Sequence, residues 1–178
     1  LTYYGGKNYV ESERSLRRAV QLKPDDYFYR YRLGLALYEQ ERYGEAMTEA
    51  KESIRLKSDY SYAHGLYGDT LYGAKQYKEA VVEYRESLRL KPGDASVHYQ
   101  LGQSYYGLKD WASASVAFRE TVKLAPNDYD AWVYLGNSLD YEMRLTEAID
   151  ADKEALKLRP DNEMAYSELG IAYNRDGK

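Results

Sequence analysis

Apolar residues recur along this chain at spacings of three and four, which is the stripe of an amphipathic helix. Within residues 129–162 the first stripe consists of Ala131, Trp132, Leu135, Gly136 and Leu139. A second stripe follows the turn at Arg144 and consists of Ala148, Ile149, Ala155, Leu156 and Leu158. It stops at Pro160, because proline cannot continue a helix interior. The pattern therefore predicts two helices joined by a short turn, named here helix A and helix B.

The same pattern returns every 34 residues, with three columns of small or rigid residues in step. The columns are Gly34, Gly68, Gly102, Gly136 and Gly170; Ala46, Ala80, Ala114 and Ala148; and Pro24, Ser58, Pro92, Pro126 and Pro160. Self-similarity at such a period is typical of stacked helical repeats, in which each unit buries its apolar face against its neighbours. Numbering each unit from 1 to 34 places these columns at positions 8, 20 and 32. Glycine and alanine there let helix A and helix B approach closely.

Several columns in register identify a family. Trp132 stands at position 4, Leu-Gly at positions 7 and 8, Tyr or Leu at position 11, alanine at position 20 and proline at position 32. Over essentially its whole length the chain resembles tetratricopeptide repeat (TPR) proteins. The resemblance implies an all-α fold, a right-handed solenoid of antiparallel helix pairs that takes in residues 1–178 as a single domain. The expected units are a partial repeat at 1–26, full repeats at 27–60, 61–94, 95–128 and 129–162, and a terminal helix A at 163–178.

Two positions of the repeat allow local predictions, one about helix capping and one about burial. Position 34 carries Asp26, Asp94, Asp128 or Asn162, whose side-chain oxygen can cap the next helix A. Position 24 is usually a buried aromatic residue in the family, but in the last full repeat it is Asp152. Asp152 is either exposed or the weakest point of the last full repeat, and we expect exposure because an unpaired buried carboxylate is costly.

Composition and charge exclude several classes of function. The net charge of −4 argues against a nucleic-acid partner, since phosphate binding depends on clustered Lys and Arg. The absence of cysteine excludes disulfides, thiolate metal sites and cysteine nucleophiles. No apolar run is long enough for membrane insertion, and the first residues do not form a signal peptide. The compartment stays unassigned, with the cytoplasm favoured.

Candidate catalytic chemistry is sparse. The two histidines, His64 and His98, both stand at position 4, one repeat apart. Helix axes in neighbouring repeats lie roughly 8 to 10 Å apart, too far for both rings to reach one ion easily. We therefore expect ordinary packing residues, no metal site, no cofactor and no enzymatic activity.

A second stripe of helix A, at positions 2, 5, 9, 12 and 13, points away from the core. In TPR proteins this stripe lines the concave groove that holds a peptide or a partner helix, and it is called here the groove stripe. The candidate partner-binding residues are Tyr4, Phe28, Tyr31, Tyr38, Tyr62, Asp69, Tyr72, Tyr99, Gln103, Tyr106, Asp130, Asn137, Asp140 and Tyr141. Four of them share position 12 and form a predicted tyrosine ladder that stops at Asp140; they are Tyr4, Tyr38, Tyr72 and Tyr106.

Three functional hypotheses follow. The first is a protein–protein interaction scaffold whose tyrosine-rich groove binds a peptide or partner segment carrying apolar and basic residues. The second is head-to-tail self-assembly into a homo-oligomer through the incomplete terminal repeats, where Leu169, Ile171 and Tyr173 lie on the last helix. The third is an engineered TPR binder, because Tyr, Ser, Gly and Asp are favoured in engineered paratopes.

Overall fold

A computed structural model describes residues 7–177, and within that range the chain consists of ten α-helices in consecutive antiparallel pairs, without β-strands. The helices are α1 (Lys7–Leu22), α2 (Tyr27–Tyr38), α3 (Tyr43–Leu56), α4 (Ser61–Gly73), α5 (Tyr77–Leu90), α6 (Ala95–Gly107), α7 (Trp111–Leu124), α8 (Tyr129–Tyr141), α9 (Leu145–Leu158) and α10 (Glu163–Asp176). The predicted all-α fold of helix pairs is confirmed.

The chain divides into two compact units, Leu1–Pro92 and Gly93–Lys178. Unit 1 contains α1 to α5, and unit 2 contains α6 to α10. In each unit the even-numbered helices are helices A and the odd-numbered ones are helices B. The assignment of the chain to one solenoid, with the repeat boundaries given above, stays a prediction.

In the second and third full repeats the glycine at position 8 receives the side chain at position 24 of its own repeat. A Cβ atom at Gly68 would lie 2.5 Å from the Tyr84 ring, and one at Gly102 would lie 2.7 Å from the Phe118 ring. Both rings are fully buried, and the four alanines of position 20 are completely inaccessible to solvent. The predicted close approach of helices A and B is therefore confirmed.

Asp152 occupies the same place in the last full repeat, and the expectation that it is exposed is wrong. Its relative exposure is 6%, and its carboxylate lies against Gly136. Asp152 takes the place against its glycine that Tyr84 and Phe118 take in the two preceding repeats, and α10 covers α9 on the side of the next repeat. Geometry set by the repeat thus overrides the preference of a carboxylate for water.

The turn from helix A to helix B is the same in all four full repeats. Position 15 has a left-handed backbone in each, with φ between 58° and 62°, at Glu41, Lys75, Lys109 and Met143. In the second full repeat the amide of Lys75 donates to the carbonyl of Tyr72, and the amide of Gln76 donates to that of Leu71. These two bonds form a Schellman motif, which satisfies carbonyls at the end of helix A.

Capping and side-chain bonds fix the other ends. Asp26 accepts hydrogen bonds from the amides of Phe28 and Tyr29, and Asp128 accepts one from Ala131. The predicted caps are confirmed at these two residues, whereas Asp94 makes no capping bond with its side chain. Further along unit 1, the buried hydroxyls of position 27 donate to the backbone carbonyl of position 1, from Ser53 to Tyr27 and from Ser87 to Ser61.

Candidate functional site

Each described tyrosine of the predicted ladder packs on the aromatic residue that begins helix B of its own repeat. The ring centroids are 5.7 Å apart for Tyr38 and Tyr43, and 5.4 Å apart for Tyr72 and Tyr77. In unit 2 the corresponding pair, Tyr106 and Trp111, is separated by 4.9 Å. The rings are half-buried, so the fold holds them while leaving part of each accessible. Tyr4, the remaining member of the ladder, lies outside the described residues.

A second group of aromatic rings lies at the starts of α2 and α4, the two helices A of unit 1. Tyr31 meets Tyr60 edge-on at 5.4 Å, and Tyr60 lies 5.5 Å from Tyr62. Phe28 lies 6.4 Å from Tyr31, and the side chains of Phe28 and Tyr62 are 44% and 46% exposed. The structure thus brings together three predicted site residues, and Tyr60 contacts two of them, Tyr31 and Tyr62. Sequence reasoning missed Tyr60 because position 34 was assigned to helix capping.

Burial controls the ionisation of these phenols. Desolvation, reinforced by neighbouring tyrosines, raises the pKa of Tyr60 to about 12, and desolvation likewise raises the pKa of Tyr31. The hydroxyls therefore remain protonated donors at neutral pH. Beside them, the Lys91 ammonium lies 4.6 Å from the centre of the Tyr62 ring and donates to its hydroxyl at 3.0 Å.

Asp69 provides negative charge among the tyrosines of unit 1. The hydroxyl of Tyr84 donates to the Asp69 carboxylate at 2.8 Å. Tyr84 is fully buried, and burial together with the charge of Asp69 raises its pKa. Burial, with the same charge as the next cause, raises the pKa of Tyr38 to about 12. Tyr84 stands at position 24, outside the groove stripe, yet its hydroxyl reaches a residue of that stripe.

Unit 2 contains its own aromatic cluster. Gln103 donates to the hydroxyl of Tyr99 at 3.1 Å, which joins two predicted site residues. The ring of Tyr134 lies 5.9 Å from Tyr99, 5.4 Å from Tyr106 and 5.2 Å from Phe118. Tyr134 stands at position 6, outside the groove stripe, so the sequence pattern did not indicate it.

The remaining predicted residues of unit 2 lie along α8. Tyr141 is 53% exposed and stacks on Trp111, with ring centroids 4.2 Å apart and planes 16° from parallel. Asp140 forms an ion pair with Arg175 of α10, while Asp130 is exposed and Asn137 is half-buried. The acid at the end of the ladder is thus already bound to an arginine.

Family comparison agrees with this geometry. A family model described as TPR repeat matches residues 68–109, and one described as tetratricopeptide repeat matches residues 1–61 and 99–163. The chain belongs to the tetratricopeptide repeat family. No curated protein sequence matches this TPR chain.

Solved structures resemble the TPR chain over most of its length. YrrB, described as a TPR protein with an unusual peptide-binding site, is 21% identical, with a TM-score of 0.86 over 93% of this chain and 85% of that chain. A MamA protein is 18% identical, with a TM-score of 0.79 over 86% and 84%. MamA from Desulfovibrio magneticus RS-1 is 23% identical, with a TM-score of 0.79 over 87% and 88%. At these identities the likeness shows the TPR fold.

Position 4 of the TPR repeat has one structural role carried by different side chains. In three repeats a ring or guanidinium nitrogen at this position lies within hydrogen-bond distance of the carbonyl at position 32 of the preceding repeat. The residues are Arg30, His64 and Trp132. The other ring nitrogen of His64 lies 2.8 Å from the Glu83 carboxylate. That hydrogen bond raises the pKa of His64. His64 is therefore a buried, hydrogen-bonded packing residue.

Among the described residues, no three or more His, Asp and Glu side chains are grouped so that they could hold a metal ion. None of the helices within residues 7–177 has the length and apolar character required to cross a membrane.

Proposed function

We propose that this TPR chain is a non-enzymatic scaffold that binds a segment of another protein along the groove stripe of its helices A. The observation that carries the proposal is the backing of each position-12 tyrosine by the first aromatic residue of helix B, with ring contacts of 4.9 to 5.7 Å. A ring held in this way loses little conformational freedom on binding, and it offers both flat apolar area and a hydroxyl.

The proposed contact residues are those of the groove stripe in each unit. Half-exposed tyrosines suit a segment with apolar side chains and Lys or Arg, since a cation is attracted to the face of an aromatic ring. Tyr60 and Tyr134, which contact groove-stripe rings directly, extend the proposed surface. Peptide binding is also the property named for YrrB, whose fold this chain shares.

The test uses peptides selected from a random display library against the full chain. Their dissociation constants are then measured for the wild type and for a variant with Tyr38, Tyr72 and Tyr106 all changed to Ala. We expect the triple change to weaken binding by about tenfold or more, because few anchor residues carry most of an interface's binding energy. A matched control changes Val82 and Val116, exposed on helices B, to Ala and leaves the affinity within about twofold.

Folding of the triple variant is checked by its far-ultraviolet circular dichroism and thermal transition, because each ring also packs on its partner. A triple Tyr to Phe variant retains the rings and isolates the hydroxyls. Equal affinity of wild type and triple Ala variant, with loss in the valine control, would place the binding surface on helices B.

Head-to-tail self-association is the second candidate. It is favoured by the exposure of the face of α10 that carries positions 4 and 8. Tyr166, at position 4, is 57% exposed, and a Cβ atom at Gly170 would meet open space. A cavity of about 630 Å³ between α1 and α2 offers a place for such a helix from a second copy. Mass measured against concentration should rise for the wild type and fall to the monomer value for Tyr166→Glu. A mass that stays constant at all concentrations removes this candidate.

A further inference from the structure

The aromatic group at the starts of α2 and α4 is built around Tyr60. Its ring lies 4.9 Å from that of Tyr27, 5.4 Å from that of Tyr31 and 5.5 Å from that of Tyr62. Phe28 joins the group at 6.4 Å from Tyr31. These five rings are called here the ring cluster. Position 34 carries Asp in three other repeats, so the cluster has a neutral phenol where those repeats have a negative charge.

Two cations of the chain itself lie on the ring cluster. The Lys57 ammonium is 4.7 Å from the centre of the Tyr27 ring and donates to the hydroxyl of that residue. The Arg32 guanidinium is 6.0 Å from the centre of the Phe28 ring. Burial raises the pKa of Tyr60, and the positive charge of Arg32 opposes that rise. A cation of the bound segment therefore meets rings that the chain's own cations already occupy.

Both cations lack an anionic partner. Within the described part of the chain, no carboxylate forms an ion pair with Lys57 or Arg32. The two other arginines on the described helices A, Arg30 and Arg175, each bind a carboxylate. Arg32 is exposed and Lys57 is half-buried. Partial burial reduces screening by water, so a charge at Lys57 interacts more strongly than one in open solvent.

The neighbouring acids leave both positive charges uncompensated. Asp26 accepts hydrogen bonds from two backbone amides of α2, and Asp59 is exposed in the turn before α4. Glu11 and Glu39 line a cavity together with Arg32. None of these four carboxylates forms an ion pair with either cation. The ring cluster is therefore an apolar surface beside positive charge, although the chain as a whole has a net charge of −4.

We propose that the ring cluster, with Lys57 and Arg32, is the docking site for an acidic part of the bound segment. An apolar side chain of the segment lies on the rings, and Asp or Glu residues beside it pair with the two cations. The hydroxyl of Tyr60, to which no described residue is hydrogen-bonded, is a further donor to a carboxylate. This inference rests on the proposed function and specifies the chemistry of the segment at one end of the groove stripe. Basic residues of the segment are excluded from the cluster, because its two cations repel them.

The experiment titrates the full chain, labelled with ¹⁵N, with small peptides observed by NMR. The probes are three tripeptides with blocked ends and a central leucine, flanked on both sides by Glu, by Gln or by Lys. We expect the Glu peptide to shift amide signals at the starts of α2 and α4. It should bind at least about fivefold more tightly than the Gln peptide, a ratio of about 1 kcal/mol, and the Lys peptide should bind more weakly than both. Added salt should reduce the difference, since it screens exposed charges.

A double variant, Lys57→Met with Arg32→Met, removes both charges and keeps unbranched stems. It should lower the affinity for the Glu peptide to that for the Gln peptide. The matched control is Lys78→Met with Arg85→Met, which removes the same charge from exposed positions of α5 and should leave the affinity unchanged.

The comparison of the three peptides on the wild type needs no variant, so it decides the question even if the double variant fails to fold. Equal binding of the Glu and Gln peptides would overturn the inference. Wild-type affinity for the Glu peptide in a folded double variant would overturn it as well.

The display-selected peptides separate this inference from the proposed function. Peptides that depend on the ladder tyrosines, yet bind equally well after replacement of their Asp and Glu by Asn and Gln, would leave the scaffold function standing and refute the acidic docking site. Peptides that lose affinity on that replacement, and also lose it for the double variant, support both.

Discussion

The ring of Tyr84 lies directly on the backbone of Gly68, so that a Cβ atom at residue 68 would be 2.5 Å from the ring. Because glycine leaves room for the ring, the hydroxyl of Tyr84 on helix B reaches the groove stripe of helix A, where it donates to Asp69. Packing between the two helices and the chemistry of the proposed binding surface are thus linked through one glycine.

Gly68→Ala should destabilise the chain by about 1 to 3 kcal/mol, because the buried ring has no room to move away from the added methyl group. Gly44→Ala is the control. Gly44 is exposed in the first turn of α3 and has open space at its Cβ position, so alanine there should be neutral or stabilise by up to about 1 kcal/mol. Urea unfolding measures both, and equal midpoints for the two variants would contradict this account of the glycine column.

Gly102→Leu tests the same column in unit 2. A Cβ atom at Gly102 would lie 2.7 Å from the ring of Phe118, and leucine adds three further carbons. We expect a loss of several kcal/mol, at or above the upper end of the roughly 1 to 3 kcal/mol range for overpacked cores. A thermal transition equal to that of the parent would show that the two helices do not meet at this glycine.

Tyr84→Phe removes the hydrogen bond to Asp69 while keeping the ring. A bond to a charged acceptor contributes about 1.5 to 3 kcal/mol, and we expect a loss near the lower limit because water can replace the hydroxyl at the half-buried carboxylate. A double-mutant cycle with Asp69→Ala, which removes the acceptor oxygens, measures the coupling between the two side chains. A coupling energy near zero would mean that the bond contributes nothing in solution.

Lys75→Gly should stabilise the chain by about 0.5 to 1 kcal/mol, because a left-handed backbone strains every residue with a Cβ atom. Lys75 has φ of 61° at position 15. The comparison is Lys78→Gly inside α5, where glycine should cost up to about 1 kcal/mol. A destabilised Lys75→Gly variant would show that the lysine side chain, rather than the turn conformation, matters at this position.

His64 should make stability depend on pH. Its two ring nitrogens face the Glu83 carboxylate and the Ser58 carbonyl, and both partners are acceptors, so the protonated ring satisfies both. The bond to Glu83 raises its pKa above 6.5. The stabilisation is therefore fully present below the unfolded pKa, and it is lost as the pH rises through the folded pKa.

The destabilisation caused by His64→Gln should accordingly be largest in acid and should shrink towards alkaline pH. Proton NMR of the imidazole follows the titration directly, and Glu83→Gln should lower its midpoint. An imidazole midpoint below 6.5 in the wild type would show that burial outweighs the ion pair.

The 34-residue period predicted the helix pairs, and the glycine and alanine columns predicted where the pairs touch, because close packing requires small residues wherever they recur. The burial of Asp152 could not be predicted in the same way, because its position in the repeat outweighs the preference of one carboxylate for water. The left-handed turn was also missed, because Glu41, Lys75, Lys109 and Met143 share no residue type that marks that conformation.

For the candidate site, the sequence indicated the face of helix A but not the contacts across it. Tyr84 belonged to the packing column, and only its depth against Gly68 allows its hydroxyl to reach Asp69. Likewise, Arg175 lies 35 residues from Asp140, its ion-pair partner. Contacts between different repeats depend on how the helices stack, which a one-dimensional pattern does not contain.

Binding along the helices A is tested most directly by NMR titration of the ¹⁵N-labelled chain with a display-selected peptide. The account predicts that the largest chemical-shift changes fall on α2 and α4 in unit 1 and on α6 and α8 in unit 2, centred on the residues of the groove stripe. Changes confined to the outer faces of α3, α5, α7 and α9, with the helix A signals unmoved, would contradict it.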